Sequence, residues 1–471
     1  MGNDGTSFAG DISGDITLIK TGGTAGNGTN DGEQTLTGTI AITDTSGSDG
    51  EGYLDIKGGT LILAPAAGKT QSFEYITGAG NLDLVNDNGQ TVELGFTTAT
   101  SAQTFSGTVA LSGTGTATTI KVSSGTAGGD YNDEQVFSGQ VTGSETLTKS
   151  GVGRLKLSNS GNNFVNTAGG ATGTDVIIND GTLVAAHADA LGPASNTVVI
   201  NKGKLELEGG ISLANTSIQG SASGKSMVGG DGTFAAITVG DGTNDIKAIS
   251  PGRGISSSLS PSNHQVTLGT GGSENNAIGN LTVTTLTFND GAVFDWEISD
   301  FNSGANQNTF NVDEDFDILN FGTLAFGSNA VVDLNIFSVD SNGAAGAVAN
   351  LGLHDHTTDD GILFLNSVND LHSDITWGGT ALASGSGVWS DASSYFSVND
   401  HAYKFHNGNL HGYSGWGVWY NGEGDFYLRY SVVPEPSTYV MVTGLLLLPG
   451  FRLIRRFRKS FGKSDEDSSS S

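Results

Sequence analysis

"VIINDGTL" (Val176 to Leu183) and "VVINKGKL" (Val198 to Leu205) decide the fold. Five of their eight positions are identical at an offset of 22 residues: Val176/Val198, Ile178/Ile200, Asn179/Asn201, Gly181/Gly203 and Leu183/Leu205. Each octapeptide reads as a short apolar strand, a tight turn needing Asn or Gly for positive φ, and a second short strand. "LDIKGGTL" (Leu54 to Leu61) repeats the ending with Ile56, Gly59 and Leu61, and "FNDGAVF" (Phe288 to Phe294) is a looser echo. A period near 22 predicts a solenoid, in which each coil buries its apolar face on the next. The expected class is all-β, a parallel β-helix with Val, Ile, Leu and Phe inside and Thr, Ser, Asn and Asp outside. A β-sandwich is the competing all-β reading; internal repetition favours the solenoid.

Composition agrees with a long repetitive body. The chain has 471 residues, 73 of them Gly, seven Pro and no Cys. Few prolines exclude collagen. Without cysteine, neither disulfides nor thiol chemistry are available. The net charge is −29, with charged residues at 15%, so no basic face is offered to nucleic acid. From Phe451 onward six basic residues face three acidic ones, a tail of +3 that leaves −32 for the first 450 residues. The acidic body and basic tail are thus separate in character.

The stretch from Leu147 to Gly210 closely resembles the passenger-associated strand repeat of bacterial autotransporters and related surface proteins. The resemblance is carried by "LTKSGVGRLKL" (Leu147 to Leu157), Asn162-Asn163-Phe164, the two I-N-x-G-x-L steps and Ala190-Leu191-Gly192. "ISPGRG" (Ile249 to Gly254) resembles the S-P-G element that commonly follows. It implies a right-handed parallel β-helix displayed outside the cell.

The C-terminus is different. Autotransporters end in a membrane β-barrel, for which no room remains. Instead, "VVPEPSTYVMVTGLLLLPGFRLIRRFRKS" occupies Val432 to Ser460. Its prolines cannot continue a strand. Tyr439 to Ile454 would span about 24 Å as a helix, slightly short of the ~30 Å hydrocarbon core. Snorkelling arginines make spanning feasible. Arg452, Arg455, Arg456, Arg458 and Lys459 would keep the C-terminus cytoplasmic. Pro449-Gly450 interrupts the helix late, and "SFGKSDEDSSSS" extends beyond the basic cluster. The order resembles the PEP-CTERM sorting signal of Gram-negative bacteria, read by a membrane protease called exosortase. That resemblance makes Pro434, Glu435, Pro436 and Ser437 the recognition motif. It implies an exported protein, held transiently at the inner membrane before reaching the cell surface or extracellular matrix. "MGNDGTSFAG" has neither a basic nor an apolar signal region, so an export signal is expected ahead of Met1.

The expected organisation is a β-helix over 1–338, an aromatic-rich β cap over 339–430, a sorting segment with one transmembrane helix over 431–459, and a polar tail over 460–471. Trp377, Trp389, Trp416 and Trp419 fall in the cap, where rings can close the last coil or stack on sugars. "GSASGKS" (Gly220 to Ser226) has Gln219 where a phosphate loop needs Gly and is read as a solenoid turn. Asp313, Asp315 and Asp317 have calcium-loop spacing, but Ile318 and Leu324 replace the required Gly and Glu. They are expected on the outward face of a strand. His354 and His356, with His401, His406 and His411, match no zinc signature. No catalytic residue, metal ligand or cofactor is assigned. The expected function is a non-enzymatic adhesin or structural rod, whose partners are the sorting protease, the inner membrane and exopolysaccharide or other glycans. The alternative is a β-helix that binds or cleaves polysaccharide.

Overall fold

A computed structural model describes residues 6–22, 32–42, 52–87, 91–96, 102–115, 117–123, 134–167, 174–215, 217–252, 279–298, 316–338, 362–369, 375–381, 390–399, 413–422 and 424–432. They are all-β, with no helix, and the chain winds in coils whose strands pair in parallel from one turn to the next. The first coil contributes Thr6–Phe8, Ile12–Gly14 and Leu18–Lys20, one strand to each of three ladders. The first ladder is a seven-stranded parallel sheet running from Thr6–Phe8 to Asn163–Phe164. The other two fuse where the long strands Thr197–Ser212 and Ser217–Val239 run around the corners of their coils.

Alternation explains the core. Successive side chains of a strand point to opposite faces, so every second residue enters the interior. Val176 pairs with Val198 and Ile178 with Ile200, and all four are fully buried. Leu183 likewise sits on Leu205. The turns between them need left-handed backbone: Gly181 has φ 68° and Gly203 φ 120°. A Cβ on Gly203 would lie 2.4 Å from the Gly181 carbonyl.

Coil length varies. Phe105 pairs with Phe137, 32 residues on, and Phe137 with Leu157, 20 residues on. The 22-residue step holds locally because extra length is placed between strands, leaving the ladders in register.

Among the described residues, no strand continues the first ladder after Phe164. Fully buried Ala190 and Leu191 fill the position instead, tied in by asparagines. Asn162 accepts from Val141 N (2.8 Å) and donates to Ala190 O (2.8 Å). Asn196 donates to Phe164 O (2.7 Å) and Leu191 O (3.0 Å).

The stack extends past residue 338. Strand Ile318–Phe326 pairs in parallel with Ile362–Ser367 and Ile375–Trp377, and Val332–Ser338 with Phe396–Asn399. Antiparallel pairing then closes it: Tyr413–Tyr420 on Phe426–Val432, which lies antiparallel on Ile362–Ser367. Phe326 anchors this end, with Trp377, Tyr395, Phe396 and Phe426 at centroid distances of 5.5 to 6.1 Å. Trp389 and the side chain of Trp416 lie outside the described residues.

Candidate functional site: a buried file of charge

Pro434, Glu435, Pro436, Ser437, Arg452, Arg455, Arg456, Arg458 and Lys459 lie outside the described residues, as do Tyr439 to Ile454 and the five histidines weighed for zinc. The described residues contain no helix long and apolar enough to cross a membrane. Nor do they hold three or more His, Cys, Asp or Glu grouped to bind a metal ion. "GSASGKS" occupies the corner where Gly220 pairs with Ile200 and Lys225 with Lys202.

Asp317 corrects its expected place. It is fully buried, not on an outward solvated face, and belongs to the polar feature that sequence reasoning missed. In the third ladder Leu155, Leu205 and Phe294 point inward, so Arg154, Lys204, Glu206, Asp295 and Glu297 point outward. Outward groups are usually solvated, yet Arg154 is 8% exposed, Lys204 1%, and the three acids not at all.

The file begins as matched pairs. Arg154 donates from Nε to Glu134 (3.1 Å) and from Nη2 and Nη1 to Glu206 (2.7 and 3.2 Å), a forked contact that passes over the intervening coil. Lys204 Nζ lies 3.7 Å from Glu206 and donates to Gly252 O at 3.1 Å. Its stem fits because Gly229 lies beneath: a Cβ there would meet Lys204 Cε at 2.6 Å and Ser250 O at 2.0 Å. These two cations and two carboxylates balance.

The next acids have no such balance. Asp295 accepts from Asn335 Nδ2 (2.7 Å), but its other oxygen has no partner. Burial pushes its carboxyl up to about 8, with Glu297 adding to the rise and Asn335 opposing it. Neither carboxyl oxygen of Glu297 accepts a hydrogen bond. Burial and the facing Asp317 hold Glu297 protonated well above the usual carboxylate range. Asp317 accepts from Gly279 N (2.8 Å) and Glu297 N (2.9 Å); burial pushes it to about 7 against those bonds. Removing carboxylates from water without matching cations favours the neutral form. As arranged, this cluster holds protons and is closed to a polymeric substrate.

No family model, curated protein or solved structure matches the chain.

Proposed function

We propose that the chain is a non-enzymatic surface or extracellular-matrix protein of a Gram-negative bacterium. Its body is a right-handed parallel β-helix used as a spacer or adhesive rod. Exosortase-type processing at Pro434-Glu435-Pro436-Ser437 follows transient anchoring by a helix over Tyr439 to Ile454. The carrying observation is a parallel stack joined in one sequence to a tripartite C-terminal signal. A stack of backbone-paired coils suits an extended display element, because each coil needs only its neighbours. The prolines keep the cleavage segment unpaired, and the arginines orient it. In a host with the sorting enzyme, mass spectrometry of surface material finds mature chains ending between Ser431 and Ser437, and Glu435→Ala leaves an uncut membrane-bound form. An intact C-terminus through Arg458 in that material removes the sorting reading.

The clustered carboxylates and bases favour a second reading, a polysaccharide-acting enzyme, on residue chemistry alone. Their burial argues against it. Purified protein is expected to release no oligosaccharide from acidic or neutral polysaccharides; release abolished by Asp295→Asn would establish the enzyme.

A further inference from the structure

We propose that Glu297 and Asp317 share a single proton, and that this proton closes the stem formed by Gly279, Phe316 and Asp317 against strand Val293–Ile298. Four contacts make Asp317 the centre of that stem. Its Oδ1 accepts from Gly279 N and its Oδ2 from Glu297 N. Its amide donates to Glu297 O at 2.9 Å. Its carbonyl accepts from Trp296 Nε1 at 2.8 Å. Next to it, Phe316 bridges Ile298 antiparallel and packs its ring 6.2 Å from Trp296. With both Asp317 oxygens accepting amides, Asp317 is the carboxylate of the pair. Glu297, whose oxygens accept nothing, supplies the proton. Two facing carboxyls attract only while one is protonated.

The surroundings leave the second charge uncompensated. Strand Thr197–Ser212 presents Lys204, already engaged by Glu206 and Gly252 O, and Glu206 itself. The pair's own strand presents Asp295, and strand Val332–Ser338 presents Asn335, which bonds to Asp295. Ser250 adds no charge. Lys204 is thus the one cation among the described residues that acts on all three acids. Loss of the shared proton places two like charges at the stem and repels Asp317 from Glu297.

The sign follows from the raised values. Glu297 titrates near pH 4 in the unfolded chain but well above that in the fold, raised by burial and the facing Asp317, so it holds its proton only in the folded state across that interval. Its stabilisation is complete below about pH 4 and is lost as pH rises through the folded value.

Amide exchange of Gly279 and Glu297 in the full chain, corrected for base-catalysed intrinsic rates, tests this between pH 5 and 9. Wild type is expected to lose protection by up to about tenfold per pH unit once the proton leaves. Glu297→Gln, which cannot ionise and can still donate to Asp317, stays flat. Asp333→Asn, at an exposed acid of the same ladder, keeps the wild-type fall. A Gln variant with the wild-type fall, or a flat wild type, overturns the proposal. Independently of any variant, wild type should retain a protonated-carboxyl infrared band at pH 6; its absence overturns the proposal too. Protection regained at pH 9 on adding calcium chloride would assign the cluster to a cation and also sink the shared proton.

Discussion

Lys149 occupies a position that its neighbours in the stack fill with isoleucine. It pairs with Ile120 below and Ile178 above, both core residues, and is itself fully buried. Its ammonium turns to the corner and donates to Ser150 O (2.8 Å), Gly151 O (2.6 Å) and Asp180 O (3.1 Å), so three donors meet three carbonyls. Burial pushes its value down to about 7, Arg154 adding to the fall and Asp180 opposing it. Lys149→Met should keep the volume but strand the carbonyls, costing about 1–3 kcal/mol. Lys149→Ala also opens a cavity and should cost roughly 2–5 kcal/mol. Urea denaturation at pH 6, below the Lys149 value, where the ammonium keeps its three donors, measures both. The pH signature is opposite to that of Glu297: stabilisation by Lys149 is complete above pH 10.5 and is lost as pH falls from there to about 7. None of this was legible in "LTKSG", because lysine in a polar repeat reads as solvated and only the pairing partners reveal an inward position. Gln135 was equally hidden: fully buried on an inward column, it bonds to both backbone groups of Ile76.

At the scale of elements, the strands were legible where glycine and asparagine fall at matching offsets, as in the two octapeptides. They were less legible nearer the N-terminus, where steps between paired strands stretch to 36 residues, as from Leu18 to Leu54, and interrupt the period. The charged file was invisible for a different reason. Its members are far apart in sequence and meet only through register, and alternation assigned them outward without indicating that they are buried. Asn162 and Asn196 were noted or passed over as letters of a repeat. Their work is to satisfy backbone groups where Ala190 and Leu191 stand in for a strand. Asn196→Ala should therefore cost about 1–3 kcal/mol by leaving buried carbonyls unpaired. Asn201→Ala, at an exposed turn where the side chain bonds only to Asn179 (2.8 Å), should stay within about 0.5 kcal/mol. Thermal unfolding of the pair separates a structural tie from a surface ladder. Gly229→Ala tests the lysine slot: its Cβ would collide with the Ser250 carbonyl and displace Lys204. The expected readout is a lower melting temperature together with loss of the Lys204–Glu206 contact.

For the whole molecule, stability of a coil stack is approximately the sum of coils and the interfaces between neighbours. Removing residues 179–200 excises one 22-residue step and joins Ile178 directly to Asn201, so that Leu155 can meet Leu205 in the original alternation. The shortened chain is expected to fold with unchanged circular dichroism per residue and a lower midpoint. Loss of its β signal would mean that Arg154, whose reach to Glu206 spans two steps, cannot adapt to one. That long reach has a mechanical consequence. Hydrogen bonds between coils lie across the strands, along the stacking direction, so tension along the stack would open one interface at a time like a crack. Side chains that skip a coil change this. Gln135 ties back to Ile76, Arg154 reaches Glu206, Lys156 reaches Glu208 at 2.6 Å, and Lys204 reaches Gly252, each over one coil, while Glu134 and Arg154 join adjacent coils. A crack on either side of the Glu134–Arg154 interface within that run must also cut a stitch anchored beyond it, and a crack at that interface must part the ion pair itself. The load is then shared over several layers, and the stitched middle should outlast both ends when the molecule is pulled.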